Sequence, residues 1–293
     1  MIKPRLATAL MMALSALPVL AVSTAAGPAE AATSRYVSLG DSFTAGPLIP
    51  NQHGTPIGCL RSDHNYPSLL AGRLDAASFT DASCSGADTT DLTAAQSVTL
   101  GTNPPQFDAL TADTTLVSLG IGGNDIGYTG IFETCAELSF TNPFGAPCKN
   151  HFGGQLDQRI ADTAPKIAAA LRGIHERSPQ ARVLVVGYLR LLPSGRGCWP
   201  LVPLAWGDVP YLDGVERSLN AMLADQASRN GAIFVDAYQG GDGHDMCAAP
   251  GGNWVEGLVP TDLAAPIHPN ATGMKVVADR AAAALGAATS AAR

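Results

Sequence analysis

The hydroxyl of Ser42 stands in a Gly-Asp-Ser turn directly after the first apolar, β-branched run of the sequence. A turn at the carboxyl end of a parallel strand would hold this hydroxyl at the edge where open α/β sheets bind ligands. A serine attacks a carbonyl carbon only when a nearby base accepts its proton. His268, in a loop that Pro266 and Pro269 restrict on both sides, is the candidate base. The two residues predict nucleophilic acyl transfer.

Two glycine-containing segments offer hydrogen-bond donors for the negative charge that develops on a carbonyl oxygen in such a reaction. The first holds Gly86, which lacks a side chain and therefore lets a substrate approach its backbone N–H closely. The second is the Gly-Gly-Asn-Asp stretch at 122–125, in which the side-chain amide of Asn124 is a donor. We therefore predict an oxyanion hole that includes Gly86 and Asn124.

The elements that would position these residues alternate between strand and helix along the chain. Short, largely apolar runs predict buried parallel strands over Tyr36–Leu39, Thr115–Leu119 and Val183–Val186, with a fourth over Ala232–Val235. Ser78–Asp81 is a further candidate strand. Helical patterns occur over Pro67–Leu74, Gln155–Glu176, Val209–Arg229 and Gly273–Leu285. Alternation with helix-length crossovers predicts an α/β architecture with one parallel sheet that helices cover on both faces. No linker divides the chain, so a single domain is expected.

Two segments rich in Gly, Pro and Asn, Cys135–Gly154 and Pro193–Gly207, lack a period and are expected to be long loops above the sheet. Such loops often form the walls of binding sites. Apolar stretches over residues 47–50, 188–192 and 199–206 are the candidates for a hydrophobic wall around a substrate.

The first 32 residues have the pattern of a secretory signal peptide. Two basic residues precede an apolar run over residues 6–22, and the Ala-Glu-Ala at 29–31 resembles a cleavage signal. Polar residues and a proline interrupt the run, which is shorter than a membrane-spanning helix requires. We expect cleavage near Ala31 or Ala32, and a secreted, extracellular domain over residues 33–293.

Six cysteines, an even number, all follow the signal peptide, which in an exported protein indicates three disulfides. Sequence alone leaves the pairing open. Sequential pairing would place all three bridges in connecting segments, so we favour Cys59–Cys84, Cys135–Cys148 and Cys198–Cys247. A zinc site would need close pairs such as Cys-x-x-Cys, which the sequence lacks, and no metal is predicted.

The composition excludes several classes of protein. The chain is 46% hydrophobic, enough for a large core, and its net charge of −7 includes no basic stripe that could bind nucleic acid. The Gly-x-Ser-x-Gly elbow of the α/β-hydrolase fold, a complete dinucleotide fingerprint and a phosphate-binding Walker loop are all absent from the sequence. Neither a nucleotide cofactor nor nucleic acid is an expected partner.

The SGNH hydrolases, or GDSL lipase/esterase family, are named after four residue types, which this chain has in the same order as Ser42, Gly86, Asn124 and His268. The sequence resembles that family over residues 37–273. The signal peptide, the six cysteines and a Gly-His-Asp-Met-Cys stretch further resemble its secreted actinomycete branch. The resemblance implies a flavodoxin-like three-layer α/β/α sandwich. It assigns Ser42 as nucleophile and His268 as base. It also assigns the N–H groups of Ser42 and Gly86, with the amide of Asn124, as the oxyanion hole.

The sequence departs from the common family pattern three residues before the histidine. An aspartate usually stands there and orients the imidazole, whereas this chain has Ala265, and its nearest upstream carboxylate is Asp262. A backbone carbonyl can also orient a histidine. The resulting hypothesis is a Ser42–His268 dyad in which the carbonyl of Ala265 accepts a hydrogen bond from His268 and Asp262 takes no part.

The resemblance implies a carboxylic ester hydrolase whose acyl-enzyme chemistry needs neither a metal nor an organic cofactor. Secretion and apolar loops favour acylglycerols as substrates. A phospholipase or a short-acyl esterase is the alternative, and Arg190 and Arg196 are the bases nearest the strand-end loops. An alternative from another class is a disulfide-braced binding protein with an inactive site. We expect a monomer whose partner is a lipid or other small ester, without nucleic acid or stable membrane insertion.

Overall fold

Five strands form the central sheet of the computed structural model, which describes Met1 and residues 34–291, with side chains up to residue 288. These strands are β1 (Arg35–Gly40), β2 (Ser78–Asp81), β3 (Leu116–Gly120), β4 (Arg182–Val186) and β5 (Ile233–Val235). All neighbours pair in parallel, in the order β2-β1-β3-β4-β5 across the sheet. This is the flavodoxin-like order, and the point where it reverses lies between β1 and β3. The predicted parallel sheet is confirmed.

Helices cover the sheet on both faces. Within residues 34–291 they are α1 (Ser42–Ala45), α2 (Tyr66–Arg73), α3 (Tyr128–Ser139), α4 (Pro147–Phe152), α5 (Gln155–Arg177), α6 (Val209–Arg229) and α7 (Ala271–Ala291). The helix α5 packs against α6, whereas α2 packs against α7. Every residue of β3 is buried, and so is every residue but the first of β1 and β4. The three inner strands β1, β3 and β4 are largely apolar and lie between two helical layers, whereas the edge strand β2 alternates exposed and half-buried residues. The predicted three-layer sandwich is confirmed.

Shorter elements lie in the connections. Two antiparallel ribbons pair Gln52–His53 with Arg61–Ser62 and Gln96–Val98 with Gly101–Asn103. Single 3-10 turns occur at Ile57–Cys59, Thr89–Leu92 and Gln106–Ala109. These pieces belong to the segments that follow β1 and β2, and they enclose the edge of the sheet where the functional turns begin.

One predicted loop is wrong. The segment Cys135–Gly154 contains the end of α3 and all of α4. Its helical period begins upstream of the cysteine, because Ile131, Phe132 and Cys135 are the buried face of α3, so the segment by itself shows too little of the pattern. The other predicted loop, Pro193–Gly207, contains neither helix nor strand.

The sulfur atoms pair as Cys59–Cys84, Cys135–Cys148 and Cys198–Cys247, which are the sequential pairs. Only the last of these joins two connecting segments outside any helix. The second links α3 to α4, and Cys59 ends a 3-10 turn, so the expectation that all three bridges lie in loops is corrected.

Residues from Thr33 onward form one compact unit. The division into a signal peptide and one domain stays a prediction. The predicted signal peptide at residues 1–32 lies outside the described residues, apart from Met1. In the part of the chain that the structure describes, no helix is both long and apolar enough to cross a membrane.

Candidate active site

The turn that carries Ser42 is fixed between β1 and β3. Gly40 has a φ of +155°, and a Cβ at this position would lie 2.5 Å from the carbonyl oxygen of Gly120, so the close approach of the two strands requires glycine. The backbone N–H of Asp41 donates to that same carbonyl at 2.9 Å. The carboxylate of Asp41 then caps α1 by accepting from the N–H of Phe43 at 2.9 Å, which leaves Ser42 as the first residue of the helix.

Asp41 also connects the serine turn to the loop after β3. The hydroxyl of Tyr188 donates to Asp41 Oδ2 at 2.6 Å and accepts from the N–H of Gly123 at 2.7 Å. Asp41 is only 2% exposed. Burial raises its pKa to about 7, even though the hydrogen bonds from Tyr188 and Phe43 act in the opposite direction. A buried carboxyl therefore lies directly beneath the serine.

The side chains of Ser42 and His268 meet, although 226 positions separate them in the sequence. Their contact joins Oγ of the serine and Nε2 of the histidine at 2.7 Å. The other ring nitrogen, Nδ1, lies 2.8 Å from the carbonyl oxygen of Pro266. A carbonyl oxygen can only accept, so Nδ1 carries the proton, and the serine hydroxyl donates to the lone pair of Nε2. The imidazole is thus held in the tautomer that a base requires.

The carbonyl that orients His268 is that of Pro266, and the prediction of Ala265 is corrected by one residue. The carbonyl of Ala265 instead accepts from the backbone N–H of His268 at 3.3 Å. The difference arises at Ile267, whose φ of +63° turns the chain so that the preceding carbonyl faces the ring. The carboxylate of Asp262 accepts from the N–H of Leu263 at 2.8 Å and makes no hydrogen bond with the imidazole among those described.

Burial lowers the pKa of His268 below its ordinary value, and the hydrogen bond to Pro266 offsets this only in part. The ring packs against Phe43, with 5.1 Å between the two ring centroids. No carboxylate stands beside the imidazole to favour its cation, in the part of the chain that the structure describes. His268 is therefore neutral, and able to accept a proton, at neutral pH.

A buried carboxylate, Glu256, which sequence reasoning did not select, holds the loop of His268. Glu256 is fully buried, and its Oε1 accepts from the side-chain amides of Asn270 at 2.8 Å and Asn253 at 2.7 Å. Its Oε2 accepts from the N–H of Thr261 at 2.6 Å. Its backbone N–H donates to the carbonyl of His268 at 2.9 Å. Burial alone would raise the pKa of Glu256, but these hydrogen bonds outweigh it and lower the pKa.

The two donor segments also come together. The side-chain amide of Asn124 donates to the carbonyl of Ala87 at 2.7 Å, so the loop after β3 is joined to the residue that follows Gly86. The N–H of Cys84 donates to the carbonyl of Gly40 at 3.0 Å, which places the same loop beside the serine turn. Gly86 is exposed and has a φ of +81°, which favours glycine. One amide hydrogen of Asn124 remains for another acceptor.

A pocket of about 610 Å³, including its open mouth, begins at the contact between Ser42 and His268. Its wall is mostly apolar and includes Phe132 of α3, Leu191, Leu219 of α6 and Ile267. Of the apolar stretches predicted to form a wall, only 188–192 lines this pocket. Other apolar lining comes from Phe43 of α1, from the loop that holds His268, and from the helices α3 and α6. The sequence did not indicate the contribution of these two helices, because amphipathic helices also pack in cores without lining any site.

A second, smaller apolar cavity adjoins the first. It is lined by part of the predicted stretch 199–206 together with Met246 and Leu258. The side chains of Phe132 and Ile267 line both cavities and separate them. The predicted stretch 47–50 lines neither one, and its Ile49 is buried in the core.

A serine hydroxyl in contact with a neutral imidazole, at the reversal point of a flavodoxin-like sheet, places the chain in the class of serine hydrolases. The chain belongs to the GDSL-like lipase/acylhydrolase family, which it matches over residues 38–276.

Several similar proteins have names that agree with this assignment. Lipase 2 of Streptomyces coelicolor is 39% identical over 267 residues, which cover 89% of this chain and 89% of the relative. The solved structure of phospholipase A1 from Streptomyces albidoflavus matches with a TM-score of 0.70 and 26% identity, over 85% of this chain and 98% of that one. The extracellular lipase of Streptomyces rimosus matches with a TM-score of 0.69 and 27% identity, over 85% and 98%. The chain is a carboxylic ester hydrolase.

Proposed function

We propose that this protein is an exported lipase or carboxylesterase that cleaves acylglycerols through an acyl-enzyme on Ser42. The 2.7 Å contact between Ser42 Oγ and His268 Nε2 carries the proposal, because it joins a nucleophile to a base in the correct tautomer. The apolar pocket that opens at this contact supports an acyl group as the part of the substrate that the enzyme holds.

In the first half of the reaction, Ser42 Oγ attacks the ester carbonyl carbon and its proton passes to His268 Nε2. The negative charge moves to the carbonyl oxygen, where the N–H groups of Ser42 and Gly86 and the amide of Asn124 are the proposed donors. The first N–H groups of a helix have no partner within it, which suits Ser42 at the start of α1. His268 then donates the proton to the departing alcohol, and the acyl group remains on Ser42.

In the second half, water attacks the acyl-enzyme and gives its proton to His268, which returns it to Ser42 Oγ as the carboxylic acid leaves. The carbonyl of Pro266 accepts from Nδ1 throughout and stabilises the imidazolium that forms in each half. It carries only a partial charge, so it stabilises the cation less than an aspartate would. Burial lowers the pKa of His268, so the base is unprotonated before each attack.

Phospholipids are the alternative substrate, because a phospholipase A1 is among the similar structures. The two bases considered for binding a headgroup are, however, engaged elsewhere. Arg190 has a side chain that is only 10% exposed, and it forms ion pairs with Asp242 at 2.8 Å and Asp213 at 3.6 Å. Arg196 stacks on the ring of Trp206 at 4.7 Å. These contacts favour an uncharged ester over a glycerophospholipid.

Export is part of the proposal. The signal-peptide pattern at residues 1–32, the three disulfides and the similarity to an extracellular lipase all support it. Secretion by an actinomycete host, followed by mass spectrometry of the protein in the medium, should give a mature N-terminus near Ala31 or Ala32. Protein found only in the cell with Met1 intact would contradict export.

The decisive experiment measures hydrolysis of matched esters from acetyl to long-chain acyl, together with a triacylglycerol and a glycerophospholipid. Ser42→Ala should lower kcat by at least about 10³, whereas Ser97→Ala, at an exposed serine, is the matched control. A rate that rises with acyl length and is higher on the triacylglycerol is expected. A maximum at acetyl esters would instead indicate a small-ester esterase.

Asn124→Ala tests the proposed oxyanion hole separately. Loss of one such donor lowers kcat by roughly 10² to 10³ while KM changes little. A fall in kcat of only a few-fold would remove Asn124 from the mechanism. If no ester is hydrolysed in a Ser42-dependent manner, the proposed function itself is wrong.

A further inference from the structure

Large apolar side chains that stay exposed to solvent are distributed unevenly over the molecule. Apart from Met1, the described residues include nine of them: Leu48, Ile57, Leu100, Phe140, Phe144, Leu201, Leu258, Val259 and Leu263. None of the nine lies in the turns that lead into β2, β3, β4 and β5, which are residues 74–77, 110–115, 178–181 and 230–232. All nine lie in the connections that leave the carboxyl ends of the strands, as Ser42 does.

Seven of the nine lie in four segments that adjoin one another and that we call the apolar rim: residues 46–51, 140–146, 197–207 and 257–267. The N–H of Ala265 donates to the carbonyl of Pro47 at 2.9 Å, which joins the last segment to the first. A Cβ at Gly257 would lie 3.8 Å from the side chain of Val202, so the last segment also borders the third.

The third segment of the rim packs against the second as well. The N–H of Trp206 donates to the carbonyl of Pro143 at 2.9 Å. The ring of Phe140 lies against that of Trp199, with 5.2 Å between the two centroids. The four segments therefore form one continuous border.

The apolar rim adjoins both cavities of the site. Ile267 lines the acyl pocket beside His268, and Leu258 lines the second cavity. Leu201 and Val259 line neither cavity, and they are 77% and 79% exposed. The rim thus presents apolar side chains to solvent next to the pocket that opens at Ser42.

The rim is almost without charge. Across its four segments the one charged residue is Asp262, and there is neither lysine nor arginine. Proteins that adsorb to anionic membranes use basic side chains near the lipid surface. The net charge of the whole chain, −7, also opposes binding to an anionic surface. The rim therefore suits a partner that is apolar and uncharged.

We propose that the apolar rim docks the enzyme on an uncharged lipid surface, from which the acyl pocket takes its ester. A contiguous exposed apolar patch marks an interaction site, and the transfer of such side chains from water into lipid is favourable. Acylglycerols with long acyl chains form an uncharged phase of their own in water, so the docking surface and the substrate are the same material. The inference rests on the proposed function, because it names the physical state in which the same site receives its substrate.

The test measures adsorption of the Ser42→Ala variant, which leaves the lipid intact, to triolein droplets coated with phosphatidylcholine. In this background Leu201→Gln and Val259→Gln should each weaken adsorption by about ten-fold, because each removes an apolar side chain that the lipid would bury. Leu100→Gln is the matched control. Leu100 is 83% exposed in the turn of the ribbon Gln96–Val98 and Gly101–Asn103, outside the rim, so its replacement should leave adsorption unchanged.

Three results would overturn the docking surface. The first is no adsorption to the neutral droplets, and the second is an equal loss for Leu100→Gln and Leu201→Gln. The third is tighter adsorption when phosphatidylglycerol replaces part of the phosphatidylcholine, which would indicate an electrostatic partner. Sedimentation without lipid should give a monomer. A dimer that Leu201→Gln dissociates would show that a second copy of the chain covers the rim, and would also overturn the proposal.

Hydrolysis rates separate docking from the chemistry. With Ser42 intact, Leu201→Gln should lower the rate on dilute triolein droplets by about ten-fold and leave kcat/KM for dissolved p-nitrophenyl butyrate unchanged, because Leu201 lines neither cavity. Equal falls on both substrates would indicate a disturbed site and contradict docking. If the wild-type protein hydrolyses no ester, the proposed function fails, whereas adsorption of the Ser42→Ala variants still decides whether the rim binds lipid.

Discussion

The carboxylate of Glu256 and the side-chain amide of Asn270 form a 2.8 Å hydrogen bond that ties the loop before His268 to the start of α7. Thr261, earlier in the same loop, donates its N–H to the other carboxylate oxygen at 2.6 Å. The buried carboxylate of Glu256 thus holds the loop of His268 without contacting its imidazole. It fixes the loop from which His268 extends, in a chain that has Ala265 three residues before the histidine.

Replacement of Glu256 by glutamine should lower both stability and kcat. A glutamine side chain has one acceptor oxygen, whereas the carboxylate has two, so the donors that bond one of the two oxygens would lose their acceptor. This loss should lower the free energy of unfolding by about 1 to 3 kcal/mol. The pKa of Glu256 is lowered in the fold, so its contribution to stability is present above the ordinary glutamate pKa and is lost as the pH falls. Denaturant unfolding of wild type and Glu256→Gln should therefore differ at pH 7 and converge below about pH 4.

Glu137→Gln is the control for this comparison, because Glu137 is exposed on α3 and its loss should change neither quantity measurably. Equal midpoints for wild type and Glu256→Gln at pH 7 would contradict a positioning role for Glu256.

The acid limb of the pH profile should report His268. The rate requires the neutral imidazole, and burial lowers its pKa, so kcat/KM should reach half its maximum below the ordinary histidine value of about 6.5. Ala265→Asp introduces the carboxylate of the common family pattern. It should favour the imidazolium and move the limb to higher pH.

Asp262→Asn is the matched control for that shift, since the carboxylate of Asp262 is directed at the N–H of Leu263 and its loss should leave the limb in place. A wild-type limb centred above pH 6.5, or one that Asp262→Asn displaces, would show that another group controls the base.

Asp41→Asn should flatten the pH dependence of stability. The folded state raises the pKa of Asp41 to about 7, compared with about 3.9 for an ordinary aspartate, so the folded protein binds the proton more tightly. The contribution of Asp41 to the free energy of unfolding is fully present below about pH 4 and is lost as the pH rises to 7. The free energy of unfolding of wild type should therefore fall, relative to Asp41→Asn, by on the order of a few kcal/mol across this range.

Tyr188→Phe provides the comparison for Asp41. It removes a hydrogen bond that favours the charged carboxylate, so the pKa of Asp41 in the folded protein should rise further and the fall in stability should continue to higher pH. Parallel curves for wild type and Asp41→Asn between pH 4 and 7 would mean that Asp41 is ionised throughout.

The three disulfides should contribute unequally to stability. They close loops with sequence separations of 25, 13 and 49 for Cys59–Cys84, Cys135–Cys148 and Cys198–Cys247. A cross-link that closes a longer loop removes more entropy from the unfolded chain, and each is worth roughly 2 to 4 kcal/mol. Paired Cys→Ala variants should show the largest fall in the denaturation midpoint for Cys198–Cys247. A dominant effect of Cys135–Cys148 would show that its link between α3 and α4 outweighs loop length.

The sheet and the pair Ser42 and His268 could be predicted because short sequence patterns mark the strands and the two candidate residues. The strands β1, β3 and β4 are buried, largely apolar runs, and the structure places all five strands within a residue or two of the predicted bounds. Ser42 and Asn124 follow adjacent parallel strands, so the topology brings their turns to one edge without any knowledge of loops. The contact with His268 followed from the chemistry that a serine nucleophile requires.

The residues that sequence reasoning missed are those whose role depends on burial by distant segments. Glu256 has the same type as surface glutamates, and only the packing of loops around it makes it buried. The carbonyl that orients His268 was misplaced by one residue because its direction depends on the φ of Ile267, which residue spacing does not reveal. The pocket wall on α3 was missed because that helix begins upstream of the segment considered.

Ile267 has two roles in the site, one through its backbone conformation and one through its side chain. A β-branched residue with a φ of +63° is strained, and here that conformation aims the carbonyl of Pro266 at the imidazole. The same side chain separates the two apolar cavities. A substitution that relaxes the backbone would therefore also merge the cavities, and one that reshapes the cavities would disturb the base. Phe132 lines both cavities from a regular helix, so a substitution there would reshape the cavities without changing the backbone that orients the base.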